Sequence, residues 1–237
     1  GVFRHDINAV GVHFPTAPLS GGAPTARCLI LVTPDGQRTM NTFLGACVTL
    51  TEADVDPALV AASAVTYLEG YLFDPPEAQA AFRKAAAAAH AAGRRVALSL
   101  SDAFCVNRHR AAFLDLVANH VDILFANETE ITALYERNSF EEAAEAARND
   151  VALAALTRSE AGSLILRGDD TVKVAAEPAK VVDTTGAGDA YAAGFLAGLT
   201  SGKSLNICGR MGSIAAAEVI GHYGARPEAN LRRLMPA

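Results

Sequence analysis

The sequence of 237 residues lacks the patterns that mark secreted, zinc-binding and membrane proteins. Its four cysteines show no CxxC or other metal-ligand spacing, so buried free thiols in a reducing compartment are favoured over disulfides or zinc. No apolar run is long enough to span a membrane, and Arg4, His5 and Asp6 interrupt the apolar stretch that a signal peptide needs. A soluble, cytoplasmic protein is therefore expected. The cysteines are Cys28, Cys47, Cys105 and Cys208.

Several motifs of catalysis and nucleotide binding are also missing. The six histidines form no HExxH, and no GxSxG supports a serine hydrolase. The absence of GxxxxGK[ST] means that any ATP is bound without a P-loop, and the absence of an early GxGxxG weighs against a dinucleotide-dependent oxidoreductase. The 20 lysines and arginines are scattered in a chain of net charge −6, which weighs against a nucleic-acid partner.

What the chain does contain is ample material for a packed core. Hydrophobic residues make up 51% of the sequence and charged residues 19%, which excludes a disordered chain. The length fits one large domain, so residues 1–237 are expected to form a single domain.

Strand and helix patterns alternate along most of the sequence. Because the strands are nearly continuous apolar runs, they predict a three-layer αβα fold with a mostly parallel, doubly wound sheet. A hairpin is predicted over 25–46, around the turn Pro34-Asp35-Gly36. The predicted strands are 64–72, 94–100, 121–126, 151–157, 163–167, 171–175 and the pair Val181-Val182. The predicted helices are 1–10, a capped helix from Thr51 through Val60, 77–92, 107–119, a helix ending at Tyr135, 140–148 and 204–226.

Polar clusters follow several of these strands. In a parallel sheet, loops at the carboxyl ends of the strands meet at one edge, where ligands bind. The clusters are therefore expected to converge if the strands belong to one sheet. They are Ser99–Asp102, Asn127–Glu130, Thr157–Gly162 and Asp183–Asp189.

The stretch 181–199, VVDTTGAGDAYAAGFLAGL, combines a turn with the start of a helix. Gly186 and Gly188 let the backbone turn tightly, and the amides that follow would favour an anion at the helix N-terminus. Asp189 in the first turn would face that anion, an arrangement that suits phosphoryl transfer. The alternative is a plain strand–turn–helix connection in which Asp189 only caps the helix.

The string DTTGAGD closely resembles the C-terminal signature of the ribokinase-like (PfkB) family of small-molecule kinases. The resemblance implies a ribokinase-like fold, ATP as phosphoryl donor and Asp189 as the catalytic base. It also implies that the amides of Gly186, Ala187 and Gly188 form the anion hole for the transferred phosphate.

Two further strings resemble motifs of the same family. Asn127-Glu128-Thr129-Glu130 resembles N-x-x-E, which implies that Asn127 and Glu130 order Mg²⁺, its waters and the nucleotide phosphates; the alternative is an ordinary helix cap. In 157–162, Thr157 and Gly162 match T-x-G-x-x-G, a loop that lines ATP. Ser159 stands where glycine is common, so a changed local geometry with ATP binding retained is expected.

The resemblance implies three other sets of contacts. Small residues of the last long helix would wall the adenine pocket, although close helix packing explains them equally; they are Gly209, Gly212 and Ser213. Asp183 and Thr185 match part of a monovalent-cation site, which would bind K⁺. The hairpin, within residues 20–50, would be a lid over the substrate, with Asn41 and Phe43 as substrate contacts and a homodimer interface in some branches; the alternative is an ordinary surface hairpin.

The strings LSLSDAF (98–104) and VDILFANETE (121–130) resemble the adenosine kinase branch. The expected activity is transfer of the γ-phosphate of ATP to a hydroxyl of an adenosine-like nucleoside or a sugar. The family's N-terminal strands and its Gly-Gly-x-x-x-Asn substrate motif have no counterpart in this sequence, so that part of the family domain is expected to be absent. A nucleotide-binding regulator or degenerate kinase on the same scaffold is the main alternative, and an NAD-dependent oxidoreductase is a weaker one.

Overall fold

The computed structural model describes residues 2–236, which form two sheets and the helices around them. No helix in this part of the chain combines the length and apolar character needed to cross a bilayer. The strands are β1 Arg27–Val32, β2 Arg38–Phe43, β3 Val65–Glu69, β4 Arg95–Ser99, β5 Ile123–Asn127, β6 Leu153–Thr157, β7 Ser163–Arg167 and β8 Asp170–Val174. The α-helices are α1 Val2–Ala9, α2 Pro57–Ala62, α3 Pro76–Ala91, α4 Ala103–His120, α5 Glu128–Tyr135, α6 Phe140–Asp150, α7 Ala187–Thr200 and α8 Leu205–Val219.

The larger sheet has six strands in the order β3-β4-β5-β6-β7-β8. Strands β3 to β6 are parallel, and β7 and β8 continue the sheet in antiparallel fashion. Side chains of α3, α4, α5 and α6 pack with the sheet in one hydrophobic core, and those of α7 and α8 pack in a second. The predicted three-layer αβα fold with a mostly parallel sheet is confirmed.

Aromatic side chains are central to both cores. In the first, Phe73 is fully buried and its ring centroid lies 4.4 Å from that of Phe113. In the second, Phe125 of β5 meets Phe195 of α7 edge to face at 5.4 Å. Burying each such ring contributes about 1.5–3 kcal/mol, so these contacts hold the helical layers on the sheet. Both layers position the site, one through the start of α5 and the other through the start of α7.

The smaller sheet is the predicted hairpin of β1 and β2. Its antiparallel register pairs Leu29 with Asn41 and Val32 with Arg38, and the turn contains Pro34-Asp35-Gly36 as expected. The predicted N-terminal helix is also present, from Val2 to Ala9; residue 1 lies outside the described residues.

Two predicted elements differ in the structure: one is absent and the other is shorter than predicted. Val181 and Val182 form no strand, because their backbone has no neighbouring strand to pair with; the Val182 N–H donates to the Ile220 carbonyl at 2.8 Å instead. The helix predicted over 204–226 ends at Val219, and the chain then folds back so that the Gly224 N–H reaches the Asp183 carboxylate. Both corrections come from contacts between distant segments.

The capped helix predicted from Thr51 through Val60 is split in two. Thr51 and Asp54 do form a capping box, but it starts only a 3-10 turn over Glu52–Asp54. Pro57 disfavours a helical conformation for the residue before it, so the chain becomes extended at Asp56 and a new helix begins at Pro57.

Candidate active site

The parallel register of the main sheet brings the polar strand ends together. Glu69 of β3 lies beside Ser99 of β4, and Asn127 of β5 lies beside Thr157 of β6. These residues are at or near the carboxyl ends of their strands, so the loops that follow open at the same edge. We call this the carboxyl edge. The predicted convergence of the polar clusters is therefore found for these strands.

The loop 183–189 leads into α7 through a left-handed residue. Gly186 is the N-cap of α7 at φ 80°, and a Cβ built on it would lie only 2.6 Å from the Ala225 Cβ. Glycine is required here on both counts. A Cβ on Gly188 would meet nothing within 4 Å, so its surroundings are open. The first amides of α7 thus lie at an accessible helix N-terminus, which favours an anion. One of them, the Ala187 N–H, also makes a long hydrogen bond of 3.4 Å to the Thr184 carbonyl.

Asp183 fixes the shape of that loop. The residue is 3% exposed, and its Oδ1 accepts hydrogen bonds from the Thr185 N–H at 2.9 Å and the Thr185 hydroxyl at 2.6 Å. Its Oδ2 accepts from the Gly224 N–H at 3.0 Å. Burial pushes the pKa of Asp183 upward, but these hydrogen bonds outweigh it and hold the pKa below its ordinary value. Most of the carboxylate's acceptor capacity is already used within the chain, so a K⁺ site at Asp183 and Thr185 stays a prediction.

Asp189 lies in the first turn of α7 and is open to solvent. The protein around its carboxyl group nevertheless displaces enough water to raise its pKa, and the positive charge of Arg38 opposes this. A carboxylate with a raised pKa that solvent can reach is suited to accept a proton from a hydroxyl.

Asn127 and Glu130 form a reciprocal cap at the start of α5. The Asn127 side chain accepts from the Glu130 N–H at 2.9 Å, while the Glu130 carboxylate accepts from the backbone N–H and the side-chain amide of Asn127 at 2.9 and 2.7 Å. Glu130 is 7% exposed, and burial raises its pKa to about 7, with Asp102 and Asp189 adding to the effect. The cap that the sequence offered as an alternative is present, and it holds a buried carboxyl group close enough for the charge of Asp189 to raise its pKa.

Glu69 is a site residue that the sequence reading missed. Burial raises its pKa to about 7, and the charges of Asp189 and Glu130 contribute, which indicates that the three carboxyl groups lie near one another. The Tyr67 hydroxyl donates to it at 3.2 Å. The sequence feature that could have identified Glu69 is its position as a charged residue at the carboxyl end of an apolar strand.

Little positive charge balances the carboxyl groups of Glu69, Glu130 and Asp189, and such an environment favours a divalent cation. Beyond the effect of burial, the charges of Asp189 and Glu130 raise the pKa of Glu69, and those of Asp102 and Asp189 raise the pKa of Glu130. No group of three or more His, Cys, Asp or Glu side chains between residues 2 and 236 has the arrangement of a direct metal site. Magnesium characteristically keeps several waters and is bound through one or two carboxylates and substrate phosphates. Glu130 and Asn127 therefore suit Mg²⁺ held through water.

The loop 157–162 retains a glycine-type backbone despite Ser159. Ser159 adopts φ 49°, in the left-handed region that glycine occupies readily. Gly162 lies at φ 84°, and a Cβ on it would be 2.1 Å from the Val174 carbonyl oxygen. Serine adopts this conformation at a conformational cost, and the changed local geometry expected at Ser159 stays a prediction. Thr157 ends β6 beside Asn127, which places the loop next to the α5 cap.

The structure places Gly209, Gly212 and Ser213 in packing contacts. A Cβ on Gly209 would lie 2.6 Å from Ile165, and one on Gly212 would lie 2.8 Å from the Tyr191 carbonyl. The Ser213 hydroxyl accepts from the Glu177 N–H at 2.8 Å. The close helix packing named as an alternative accounts for these residues, and their role in adenine binding stays a prediction.

The hairpin is attached to the loop 183–189 through one of its faces. Arg38 donates to the Thr184 hydroxyl at 2.7 Å, and that hydroxyl donates to the Gly36 carbonyl at 3.2 Å. Because side chains alternate along a strand, Asn41 and Phe43 lie on the opposite face of β2 from Arg38. Their predicted substrate contacts stay predictions, and Arg38 is a second site residue that the sequence reading missed.

Comparisons with known proteins agree with this arrangement. The profile of the pfkB family of carbohydrate kinases matches residues 2–231. The crystal structure of adenosine kinase from Sinorhizobium meliloti is 55% identical, with a TM-score of 0.95 over 98% of this chain and 72% of that one. A probable sugar kinase from Rhizobium etli CFN 42 is 49% identical, with a TM-score of 0.95 over 98% of this chain and 71% of that one.

A curated relative, an uncharacterized sugar kinase from Archaeoglobus fulgidus, is 37% identical over 113 residues, which are 48% of this chain and 45% of the relative. The matched segment thus spans less than half of that protein. The family profile, in contrast, covers nearly the whole chain. This protein belongs to the pfkB family of carbohydrate kinases.

Proposed function

We propose that the protein transfers the γ-phosphate of ATP to a hydroxyl group of a small nucleoside or sugar. The observation that carries the proposal is the gathering of Asp189, the open amides of the α7 N-terminus and the Asn127–Glu130 cap at the carboxyl edge. The hairpin, within residues 20–50, serves as a lid in the same domain. The names of the relatives, adenosine kinase and sugar kinase, support both acceptor classes.

Each group has a distinct part in the transfer. Asp189 accepts the proton of the acceptor hydroxyl while that oxygen forms a bond to the γ-phosphorus and the bond to the bridging oxygen of ADP breaks. The amides of Gly186, Ala187 and Gly188 stabilise the negative charge of the transferred group, and Arg38 adds a positive charge from the lid. Thr157, Ser159 and Gly162 line the nucleotide phosphates.

Magnesium would be held through water by Asn127 and Glu130, where it neutralises phosphate charge. Its presence would also favour the ionised form of Glu130, whose pKa burial raises to about 7. Glu69 and Tyr67, joined by a hydrogen bond at 3.2 Å, would offer hydrogen-bond partners to further hydroxyls of the acceptor. An adenosine-like nucleoside is the acceptor we favour, because the adenosine kinase is the more similar of the two structural relatives.

The substitution Asp189→Asn tests the catalytic role. It should lower kcat by about 10²–10⁴-fold because a carboxamide does not accept the hydroxyl proton. The affinity for MgATP, measured by isothermal titration calorimetry, should change little. Asp56→Asn is a matched control, since Asp56 caps the short helix α2 and asparagine caps equally well. Near-normal turnover of Asp189→Asn would remove Asp189 from the mechanism.

A nucleotide-binding regulator on the same scaffold is the second candidate, favoured by Ser159 at the position where glycine is common. Titration with MgATP paired with a turnover assay separates the two functions. Binding of MgATP without transfer to any acceptor would support the regulator.

A further inference from the structure

Arg158 joins three elements at the carboxyl edge. Its Nε and Nη2 lie 3.2 and 3.3 Å from the two carboxylate oxygens of Glu128. Its Nη1 lies 3.4 Å from Glu141 Oε1, and its guanidinium carbon lies 4.2 Å from the centroid of the Phe140 ring. Its backbone N–H also donates to the Gly162 carbonyl at 2.8 Å, which closes the loop 158–162.

These contacts make Arg158 more ordered than an ordinary surface arginine. A lone exposed ion pair contributes little, because two flexible side chains must be fixed. Here the planar guanidinium engages Glu128 with two donors and also stacks on an aromatic ring, so less freedom is lost per contact. The pairing with Glu128 raises the pKa of Arg158, so its charge is constant.

The partner, Glu128, has a particular place in the site. It is the first residue of α5, directly after Asn127 and two residues before Glu130. Arg158 itself lies between Thr157 and Ser159 of the loop that lines the nucleotide. The pair therefore connects the two segments that, on the proposed function, hold the ATP phosphates and the magnesium.

We propose that Arg158 is a positioning residue that, through Glu128, holds the nucleotide loop 157–162 against the metal-binding start of α5. This pairing of Arg158 with Glu128, which we call the brace, fixes the distance between the phosphate-lining amides and the Asn127–Glu130 cap before MgATP binds. Its loss lets the two segments separate, and MgATP then binds more weakly although the catalytic groups at Asp189 are untouched. The inference rests on the proposed function for the identity of the ligand.

The test uses Arg158→Ala, Glu128→Gln and the double variant. Each single substitution should raise the KM for MgATP by about 5–20-fold, with kcat and the KM for the acceptor changed less than about twofold. The double variant should be no worse than the single variants, because both remove the same brace. Arg158→Lys, which retains the charge without the fork, should fall between wild type and Arg158→Ala.

Arg148→Ala is the matched control. Arg148 also joins several segments, with contacts to Glu145, Thr171 and the Gly168 carbonyl, but its partners lie around the β7–β8 turn. Glu145 lies in α6 with Arg148 itself, and the turn with Gly168 and Thr171 is at the end of β7 opposite Ser163, and so away from the carboxyl edge. Its loss should leave every kinetic constant within about twofold of wild type.

Two results would overturn the proposal. A rise in the KM for MgATP with Arg158→Ala but not with Glu128→Gln would mean that Arg158 contacts the nucleotide directly. Kinetic constants indistinguishable from those of Arg148→Ala would mean a surface ion pair without a positioning role. If wild type transfers no phosphate, the proposed activity fails, and the dissociation constants for MgATP from calorimetry on the same variants still decide whether the brace exists.

Discussion

The carboxyl edge and the hairpin lid differ in how firmly their side chains are held. At the carboxyl edge, Asp183 and Glu130 are nearly inaccessible, and each carboxylate accepts hydrogen bonds from neighbouring backbone and side-chain donors. On the hairpin, Leu29 is 72% and Leu31 is 65% exposed, and the residues of β2 are exposed along the whole strand. The lid is fixed to the rest of the protein mainly near its turn, through Gly36 and Arg38.

On the proposed function, this difference separates the preformed groups that carry out the transfer from the hairpin, which would adapt to the acceptor. Caps and tight turns make the carboxyl edge rigid, as a site for phosphate and metal requires. A two-stranded hairpin with exposed faces is only marginally stable by itself. Because its side chain joins the hairpin to the Thr184 hydroxyl and its charge acts on Asp189, Arg38 is the residue through which, on the proposed function, the lid would affect the transfer.

In the comparison between the carboxyl edge and the hairpin, the largest expected effect concerns the two faces of the lid. Arg38→Ala should lower kcat/KM by about 10–100-fold, because it removes a positive charge beside Asp189 and the contact with Thr184. Asn41→Ala, on the opposite face of β2, should change kcat/KM by less than about threefold. Steady-state kinetics of the two variants measure both changes in kcat/KM. A larger loss with Asn41→Ala would reverse the assignment of the faces and restore Asn41 as the substrate contact.

The next effect concerns the dependence of stability on pH at the carboxyl edge. The pKa of Glu69 is raised to about 7, so the folded chain resists its ionisation and loses stability as the pH rises from the unfolded-state pKa through about 7. Glu69→Gln should therefore increase the free energy of unfolding by about 1–3 kcal/mol near pH 8, with the gain disappearing toward pH 4.

Urea denaturation across this pH range measures the effect, with Glu52→Gln in the exposed turn before α2 as the control for the change in charge. A gain that does not depend on pH would contradict the account. Added Mg²⁺ should stabilise wild type more near pH 8 than near pH 5, because more of the carboxyls are then ionised.

The smallest expected effect concerns Ser159. Replacing a left-handed serine with glycine relieves about 1–2 kcal/mol of conformational cost but adds freedom to the unfolded chain, so Ser159→Gly should stabilise by about 0.5–1 kcal/mol. The KM for MgATP should stay the same or fall. Glu136→Gly is a matched control, because Glu136 also lies at φ 49° but at the far end of α5. A loss of stability with Ser159→Gly would mean that the serine side chain has an essential contact.

Sequence could predict the features that depend on neighbouring residues. The cap of Asn127 and Glu130, the left-handed Gly186 and the hairpin turn are each specified by a few consecutive residues, and the structure contains all three. The nearly continuous apolar strands also predicted correctly a mostly parallel sheet between two layers of helices. The convergence of the polar strand ends then followed from the parallel register.

Features that depend on distant contacts could not be predicted. Arg38 and Thr184 are 146 residues apart, so no local pattern identifies their hydrogen bond. The alternation of side chains along β2 separates its two faces, but it does not show which face contacts the loop 183–189. The small residues Gly209 and Gly212 fit an adenine wall and a packed helix equally well in sequence, and only the contacts with Ile165 and Tyr191 show their packing role.

The most direct test of the central claim is a phosphate-transfer assay of the protein with γ-labelled ATP and Mg²⁺ against adenosine, other nucleosides, ribose and fructose derivatives. The account predicts a phosphomonoester of at least one acceptor, formed in equal amount to ADP and lost with Asp189→Asn. Binding of MgATP without label reaching any acceptor in the panel would contradict it.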